Sequence, residues 1–394
     1  MTTPQPAPGC PDTPDARAVL RSVEKVVERA AAPTLGERLR RAKLTYASRH
    51  VVPLHAGQPL ALLTGDDVVP AAGDLVLARV TSVGQHTWVE LPTGRHARVF
   101  AGDEVVLAYA DRYAPDAFLA HVPEDLGPCD LVAAGGIAAR VDAAHASMAA
   151  PTRIEPVGLL ADGTGRRLRL RDWTTVRPRQ PEPATADSVP VVAVVGTAMN
   201  AGKTTALAML VAGLSAAGLS VGAAKVTGTA AGNDPWLFTD AGAEALDFTD
   251  AGHPTTAGVA HEDCVGVVGG LLAELRGRHD VVVMEIADGV LQRESAALVA
   301  DPRVRAAVDG VLFAAGDAVG ALGGAERLAA LGWRVLGVTG LFTASPLAVR
   351  ETEERAVVPV LASTDLAQPE HALALLARLR ADRGTRHDGL TTQP

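Results

Sequence analysis

Residues 196–204 read GTAMNAGKT, and this run restricts the fold more than any other part of the sequence. It matches G-x-x-x-x-G-K-[ST], the P-loop pattern. The apolar stretch VVAVVG at 191–196 precedes it, and a helical pattern opens at Lys203. In that context the loop amides and the helix N-terminus form a cradle for an anion. The sequence therefore predicts a phosphate-binding loop between a buried strand and a helix; a glycine-rich turn without a ligand is the alternative.

The side chains of this loop have separate expected roles. Lys203 would neutralise the β- and γ-phosphate oxygens, and the Thr204 hydroxyl would ligate Mg²⁺. Thr205 would either lie near the α-phosphate or pack against the protein. The predicted nucleotide-binding residues are Gly196, Thr197, Asn200, Ala201, Gly202, Lys203, Thr204 and Thr205.

Apolar runs alternate with helical patterns from residue 191 to about residue 382. Continuously apolar strands separated by helices indicate a parallel sheet with helices on both faces. The sequence thus predicts an α/β fold with a P-loop domain at 191–382 and a disordered tail at 383–394. Strands are expected at 191–196, 220–226, 280–286, 310–315, 334–342 and 358–363, and helices near 203–217, 261–276, 291–300, 317–331, 345–356 and 367–382.

The N-terminal half has a different pattern. Residues 1–49 are predicted to form a disordered start and a helical arm, with helices at 15–30 and 35–48 and Thr34 as the cap of the second helix. Residues 50–176 contain short runs of period two split by Gly, Asp and Pro, which favour a small β-rich, barrel-like domain. The proline-rich residues 177–190 resist packing and predict a linker.

Charge and composition exclude several classes of function. The 394-residue chain has a formal net charge of -9, so it lacks the basic field that nucleic acids or anionic membranes would require. The basic run at 38–43 is interpreted as a solvated helix face. No apolar run of about 18 residues and no signal-peptide pattern is present, which predicts a cytoplasmic protein without a membrane partner. Three widely spaced cysteines predict no disulfide framework.

Charged residues end two of the predicted strands. Glu285 and Asp288 follow the apolar run of the strand at 280–286, and Lys225 closes the strand at 220–226. The carboxyl ends of parallel strands share one edge, where α/β proteins bind their ligands. We expect Glu285 to hold Mg²⁺ with Thr204, and we expect Lys203, Lys225 and Glu285 to act in catalysis. The alternatives are an exposed strand end for Glu285 and a lysine extending to solvent for Lys225.

A polar, glycine-rich stretch between Gly228 and His261 is too long for a simple connection, and it predicts a binding loop over the crevice. Its candidate residues are Asp234, Asp240, Asp250 and His253, each of which could instead cap backbone groups. His261 and Cys264 stand three residues apart on a predicted helix. They form an incomplete metal-binding pattern.

The motif GTAMNAGKTT, the strand ending in Lys225 with Thr229 four residues on, and the strand ending in Glu285 together resemble the dethiobiotin synthetase-like P-loop proteins of the SIMIBI type. This resemblance covers about residues 190–380. The two-domain layout is also similar to P-loop proteins of the domain-of-unknown-function 1611 group. Two positions depart from related patterns: Asn200 replaces an acidic loop residue, and Thr197 occupies the place of the second lysine of MinD-type loops.

The resemblance implies an ATP-dependent reaction in which Lys225, with Thr229 nearby, engages a carboxylate or carbamate substrate. It implies Lys203 and Thr204 on the triphosphate and Glu285 on Mg²⁺. ATP is favoured over GTP, the alternative, because no N/T-K-x-D guanine motif is present and the candidate segment 339–343 reads TGLFT.

Two functions remain open from the sequence. The first is a ligase- or kinase-like enzyme that activates a small-molecule carboxylate or carbamate; the second is an accessory NTPase that switches a partner or delivers a cofactor. A binding module without chemistry is a third reading, against which both Lys203 and Glu285 argue. The expected partners are a small-molecule substrate and a second copy of the chain, as a dimer.

Overall fold

The computed structural model describes residues 33–56 and 58–388. The helix predicted at 15–30 and the last residues of the predicted tail lie outside these ranges. The first described helix, α1 (Leu35–Arg41), begins with a capping box: the Thr34 hydroxyl accepts from the Glu37 amide, and the Glu37 carboxylate accepts from the Thr34 amide at 2.8 Å. This reciprocal pair confirms Thr34 as the cap.

The helix predicted at 35–48 is shorter than expected. It ends at Arg41, and β1 (Lys43–Leu44) then pairs in parallel with strand β6 (Glu104–Tyr109). A short 3-10 helix, Tyr46–Ser48, follows with all its residues buried. The apolar side chains of residues 43–48 pack into the core of the neighbouring sheet, and the helix therefore ends before them. The prediction of a helical arm up to residue 49 is therefore wrong for its second half.

Residues 43–173, here called the β-rich region, form a nine-stranded sheet. Strands β6, β3, β11, β9 and β10 pair in a closed ring in which only the β6 and β10 pair is parallel. This ring confirms the barrel-like prediction. The other elements here are α2 (Val52–Ala56), β2 (Leu60–Leu63), β3 (Leu75–Ser82), β4 (Trp88–Glu90), β5 (His96–Arg98), β7 (Arg112–Tyr113), β8 (Phe118–His121), β9 (Cys129–Ala133), β10 (Ile137–Ala144) and β11 (Thr152–Asp162).

Residues 191–388, here called the P-loop region, contain a six-stranded sheet in the order β14-β13-β15-β12-β16-β17. Every pairing in it is parallel, as the apolar strands predict. Its strands are β12 (Val191–Gly196), β13 (Val221–Lys225), β14 (Ala243–Asp247), β15 (Val281–Glu285), β16 (Gly310–Ala314) and β17 (Val335–Thr339).

Nine further helices surround this sheet within the described residues: α3 (Lys203–Ala216), α4 (Asn233–Asp240), α5 (His261–Arg276), α6 (Arg293–Ala300), α7 (Pro302–Ala306), α8 (Ala318–Ala330), α9 (Pro346–Glu353), α10 (Ser363–Leu366) and α11 (Pro369–Asp388). Alternate residues of β12 point into two separate apolar clusters. Val191 and Val195 pack with α5 and α8, whereas Val192 and Val194 pack with α3 and α11. Helices therefore cover both faces, which confirms the α/β prediction.

Three predictions within this region need correction. The stretch at 228–261 is not one long loop, because it contains α4 and the edge strand β14. The strand predicted at 358–363 is reduced to a single parallel bridge between Val338 and Val360. The tail predicted at 383–394 is helical as far as Asp388, where α11 ends, and its remaining residues lie outside the described ranges. The division of the chain at 50–176, 177–190 and 191–382 stays a prediction.

The proline-rich segment at 177–190 is packed against α5. The Arg179 amide donates to the Gly266 carbonyl at 3.0 Å, and the Ala184 amide donates to the Ala306 carbonyl at 2.7 Å. A Cβ atom built at Gly269 would lie 2.0 Å from the Arg179 carbonyl oxygen. The bare glycine backbone of α5 therefore allows the segment to lie directly on the helix.

The β-rich region contacts the P-loop region next to β14. The Tyr46 hydroxyl donates to Asp247 at 2.8 Å, and the Arg49 guanidinium lies 3.1 Å from Asp250. The His50 ring nitrogen Nε2 lies 2.7 Å from the same Asp250 carboxylate. These contacts fix the edge of the parallel sheet against the β-rich region. Among the described helices, none is long and apolar enough to cross a membrane.

Candidate functional site

The loop between β12 and α3 has the backbone shape of an anion cradle. Gly202 occupies the cap position of α3 with φ of 92°, and no side chain accepts a hydrogen bond from the first turn of the helix there. Asn200 is one of two described non-glycine residues with positive φ, at 59°. The first amides of an α-helix have no acceptor within the helix. They are therefore available to an anion at this end of α3.

Two glycines from neighbouring strand ends hold the loop on either side. A Cβ atom at Gly289 would lie 2.7 Å from the Thr197 carbonyl oxygen, and one at Gly340 would lie 2.4 Å from the Ala201 carbonyl oxygen. Both glycines have positive φ, of 109°. The Leu341 amide also donates to the Ala201 carbonyl at 3.1 Å. Only glycine fits at these two positions, because any side chain would push the loop out of place.

Lys203 and Thr204 emerge from the first turn of α3 and reach different partners. The buried Lys203 ammonium donates to the Ala198 carbonyl at 2.8 Å, so it lies along the inside of the loop. The Thr204 hydroxyl donates to the two carboxylate oxygens of Glu285 at 3.3 and 3.2 Å. A hydroxyl and a carboxylate side by side form a set of hard oxygen donors, which is the chemistry that Mg²⁺ requires. The residues present therefore fit a magnesium ion at this position.

The sheet register brings Lys225 next to Glu285. The two residues are paired across β13 and β15, and Lys225 is also paired with Asp247 of β14. Lys225 is 8 % exposed and Glu285 is 2 % exposed, so neither is a solvated strand end. The Lys225 ammonium forms an ion pair with Asp234, from the first turn of α4. The structure thus joins Lys203, Lys225 and Glu285 at the carboxyl edge of one sheet.

Burial shifts the pKa values of these groups. It lowers the pKa of Lys203 against the opposing effect of Glu285. For Lys225, burial disfavours the ammonium, but Asp234 and Glu285 outweigh it and raise the pKa. Burial, together with Asp234, raises the pKa of Glu285 to about 7 despite Lys225 and Lys203. Shifted pKa values of this kind are typical of ligand-binding sites.

Asp288 also belongs to this edge, although its backbone is unusual. Its φ is 69°, a left-handed conformation that costs a non-glycine residue free energy. Burial raises the pKa of its carboxylate. The amide of the preceding residue, Ala287, donates to the Thr227 hydroxyl at 2.7 Å, which anchors the turn after β15. The turn therefore places the Asp288 backbone beside Gly289 and the phosphate loop.

The remaining sequence candidates are distributed differently. Asp250 is part of the contact with His50 and Arg49, and Thr229 forms an isolated bridge with Thr255. Asp240 is exposed near the end of α4. His253 is partly buried away from these contacts, and burial lowers its pKa. Of the three acids and one histidine chosen from the 228–261 stretch, only Asp234 forms an ion pair with the site lysine Lys225.

The pair His261 and Cys264 does not form the centre of a metal site. His261 Nε2 lies 2.8 Å from Asp301, and the buried Cys264 thiol has its nearest acceptor, the Val259 carbonyl, at 4.0 Å. Across residues 33–56 and 58–388, no three His, Cys, Asp or Glu side chains are grouped for a metal ion. Mg²⁺ needs few protein ligands because water and phosphate complete its shell.

Residues from the β-rich region border the site, and sequence reasoning missed them. Asp116 accepts from the Asn200 side-chain amide at 2.6 Å. The buried Glu90 carboxylate accepts from the Gly232 amide at 2.6 Å and from Trp236 Nε1 at 2.9 Å, so it holds the start of α4, the helix that carries Asp234. Arg112 lies in the same hairpin as Asp116. No local pattern marks these residues, because they reach the site only through the tertiary fold.

An open cavity of about 520 Å³ adjoins the phosphate loop on the side of Gly340. Its walls come from the turn after β16 and the start of α8, including Asp317 and Val319, and from the segment after β17, including Leu341 and Phe342. Val319 and Leu341 expose their side chains to solvent. The cavity therefore offers apolar surface and a carboxylate within reach of the loop.

Neither a protein-family model nor a curated protein matches the chain. Among solved structures, the signal recognition particle receptor FtsY from Elizabethkingia anophelis is 18 % identical, with a TM-score of 0.33 over 50 % of this chain and 68 % of that chain. Chloroplast FtsY from Physcomitrella patens is 22 % identical, with a TM-score of 0.34 over 52 % of this chain and 69 % of that chain.

A DUF1611 family protein from Anabaena variabilis is 14 % identical, with a TM-score of 0.34 over 53 % of this chain and 63 % of that chain. Because these TM-scores are low, the fold is assigned from this chain's own features. They are the all-parallel sheet, the strand, loop and helix around residues 196–204, and the helices on both faces. The chain has a P-loop NTPase fold.

Proposed function

We propose that the chain binds a nucleoside triphosphate with Mg²⁺ at the phosphate loop. The observation that carries the proposal is the contact between the Thr204 hydroxyl and the Glu285 carboxylate, beside an uncapped helix N-terminus and the Lys203 ammonium. Thr204 and Glu285 would hold the ion, directly or through water, and Lys203 would bind the terminal phosphates. The bound ion supplies positive charge that stabilises the phosphates.

We further propose that the nucleotide activates a small-molecule carboxylate or carbamate, as the dethiobiotin synthetase-like resemblance implies. A substrate oxygen would attack the γ-phosphorus, and the bond from that phosphorus to the β-phosphate oxygen would break. Lys225 would orient the anionic substrate, since its buried ammonium lies beside Glu285 and its charge is maintained by Asp234. Positioning of this kind is the main source of rate enhancement in phosphoryl transfer.

ATP is the proposed nucleotide, with GTP as the alternative. The base would lie in the cavity between the turns after β16 and β17, against the exposed side chains of Val319 and Leu341. The Asp317 carboxylate accepts from the Gly320 amide at 2.7 Å through one oxygen, Oδ1. A carboxylate can accept from the exocyclic amine of either purine, so the two nucleotides must be compared directly.

An accessory NTPase is the second candidate, and the contacts between the two regions favour it. Asp116 touches the phosphate loop through Asn200, and Glu90 holds the helix that carries Asp234. A change in the loop on hydrolysis would therefore reach the β-rich region, where a partner could detect it. This candidate predicts slow basal turnover that a protein partner stimulates, whereas the enzyme predicts stimulation by a metabolite.

Calorimetry with ATP and GTP, with and without Mg²⁺, tests the binding step. Glu285→Gln should abolish the dependence of affinity on Mg²⁺, while nucleotide binding in EDTA should remain. A screen of small carboxylates for stimulated phosphate release then tests the chemistry. Lys225→Ala should retain nucleotide binding and lose substrate-stimulated turnover; normal turnover in that variant would contradict the ligase-like reaction.

The homodimer, the cytoplasmic location and the lack of nucleic-acid or membrane partners remain predictions from the sequence. Light scattering coupled to size-exclusion chromatography gives the mass of the particle with and without nucleotide. A monomer of about 40.5 kDa under both conditions would contradict the dimer.

A further inference from the structure

The hairpin of β7 and β8 lies across the phosphate site. At its tip, Asp116 accepts from the Asn200 side chain of the phosphate loop at 2.6 Å. At its base, Asp111 accepts from the Val122 amide at 2.8 Å. A Cβ atom at Gly258 would lie 2.7 Å from the Asp111 carboxylate, so the base of the hairpin rests on the segment before α5. Both ends of the hairpin therefore contact the P-loop region.

Arg112 is the first residue of this hairpin, and two nitrogens of its guanidinium have no hydrogen-bond partner among residues 33–56 and 58–388. Its Nε and Nη1 atoms are buried, and neither has an acceptor among the described residues. Arg49 in the same region provides a contrast, since its guanidinium contacts Asp247 and Asp250. A buried, unpaired donor is unfavourable, and more so when it is charged. Such a donor in a native structure is explained by strain, by a catalytic role, or by a bound water or ion.

Arg112 lies in the hairpin whose tip contacts the phosphate loop, and two carboxylates affect its charge. Asp116 and Asp288 are the carboxylates close enough to act on its charge, and the structure gives it no hydrogen bond with either. Asp116 is bonded to Asn200, on one side of the loop. Asp288 precedes Gly289, which contacts the Thr197 carbonyl on the other side. Both carboxylates that affect the charge of the guanidinium therefore belong to segments that border the nucleotide-binding loop.

We propose that Arg112 is a phosphate-binding residue that the β-rich region supplies in cis to the nucleotide at residues 196–204. Its planar donors would bind oxygens of the terminal phosphoryl group, over which negative charge is spread in the transition state. This inference rests on the proposed nucleotide binding and extends it to a residue outside the P-loop region. It also gives the β-rich region a role in the reaction.

The electrostatic setting is compatible with this role. Burial lowers the pKa of Arg112 to about 10, with Asp116 and Asp288 opposing the effect. The group is therefore still a cation near pH 7. His86 is the other titratable group that responds to it, and burial with the Arg112 charge lowers the pKa of that imidazole to about 4. Near pH 7 the imidazole of His86 is therefore neutral and adds no second positive charge beside Arg112.

Arg112→Met tests the proposal by comparing nucleoside triphosphate with diphosphate. We expect affinity for a non-hydrolysable triphosphate analogue to fall at least tenfold, whereas affinity for the diphosphate changes less than twofold. Arg112→Lys keeps the charge but loses the planar fork, so it should show an intermediate loss. Added guanidinium ion should partly restore turnover in Arg112→Met. Arg140→Ala is the matched control, because Arg140 forms an exposed ion pair in the same sheet.

The outcomes separate this inference from the proposed function. If wild-type protein binds no nucleotide, both fail. If wild type binds but Arg112→Met matches it in triphosphate affinity and turnover, only the Arg112 inference fails. An equal loss for triphosphate and diphosphate, with a lower Tm and no rescue by guanidinium, would assign Arg112 a structural role. Our proposal expects no decrease in Tm, since the variant removes a buried unpaired charge.

Discussion

Buried carboxylates have different hydrogen-bond and ion-pair partners in the two regions of the molecule. In the β-rich region, Asp74 is 0 % exposed, and its carboxylate accepts from the Ala71 amide at 3.0 Å and from Arg167 and Arg169 at 2.8 Å each. Asp130 is similarly matched by Arg153 at 2.9 Å. The carboxylate oxygens of both acids are paired with arginine side chains and accept hydrogen bonds. Such arrangements stabilise a fold and need no ligand.

At the edge of the parallel sheet, Lys225 is paired with Asp234, but Glu285 and Lys203 have no such match. The Glu285 carboxylate has only the Thr204 hydroxyl, at 3.2 and 3.3 Å, as a hydrogen-bond partner among the described residues, and burial raises its pKa to about 7. The Lys203 ammonium donates to one carbonyl of the loop. The difference teaches that burial alone does not indicate function. Buried charge that is poorly matched indicates where a charged ligand would complete the site.

The largest expected effect is the loss of nucleotide binding in Lys203→Ala. The variant removes a cation from the phosphate site, and a hydrogen bond to a charged group is worth about 1.5–3 kcal/mol. With two phosphates affected, we expect affinity to fall by roughly 100-fold or more. Calorimetry measures this, with Lys43→Ala as the control, because Lys43 pairs with Asp103 in the β-rich region. Equal losses of nucleotide affinity in both variants would contradict the difference between the two regions.

Asp74→Ala should affect folding and not binding. Removing a buried carboxylate that two arginines share should lower the free energy of unfolding by about 2–3 kcal/mol, since both arginines can reach solvent. Urea denaturation measures the change, and the exposed Asp66→Ala should stay within about 0.5 kcal/mol of wild type. A tenfold loss of nucleotide affinity in Asp74→Ala would show that the charges of the β-rich region also serve the site.

His86 should make the stability of the protein depend on pH. Burial, with the nearby Arg112 charge, lowers its pKa to about 4 from the ordinary value of 6.5. Between these values the unfolded chain binds more protons than the folded chain, so stability falls as the pH falls. At pH 5 the contribution is roughly 2 kcal/mol relative to pH 7.

Comparing wild type with His86→Asn by urea denaturation at pH 7 and pH 5 isolates this contribution. Wild type should lose more stability than the variant over that interval. Arg112→Met should raise the pKa of His86, which NMR can follow. If the difference in stability between the two proteins is the same at pH 7 and pH 5, His86 behaves as an ordinary, solvated histidine.

Asp116→Ala should have the smallest effect. Its contact with Asn200 is a solvent-accessible hydrogen bond, and such contacts contribute less than about 1 kcal/mol. We expect nucleotide affinity to change by no more than about threefold, measured beside Asp125→Ala from the exposed pair with Arg140. A loss comparable with that of Lys203→Ala would mean that the two regions form one binding unit.

The sequence predicts the elements that local pattern and backbone chemistry determine. The phosphate loop, the apolar strands and the Thr34 cap each depend on residues that lie close together in the chain. The position of Lys225 beside Glu285 also follows, because parallel strands end at one edge. These features need no knowledge of distant contacts.

Features that depend on distant contacts could not be predicted. Strand β14 is an edge strand of mixed polarity, and Tyr46 and Arg49 hold its last residue, Asp247, from about 200 positions away. Arg112 stands in a strand of two residues, so no periodicity marks it. The prolines at 177–190 predict a free connection, but the glycines of α5 provide a surface for it.

That surface has a consequence for how the molecule can open. With the Arg179 carbonyl seated on Gly269, and the amide of Arg179 bonded to Gly266, the connecting segment is a strap and not a hinge. A hinge motion of the β-rich region against the P-loop region would have to break the contacts of this strap with α5. We therefore expect a ligand to enter and leave the crevice through movements of the turns around it, while the two regions keep their relative position.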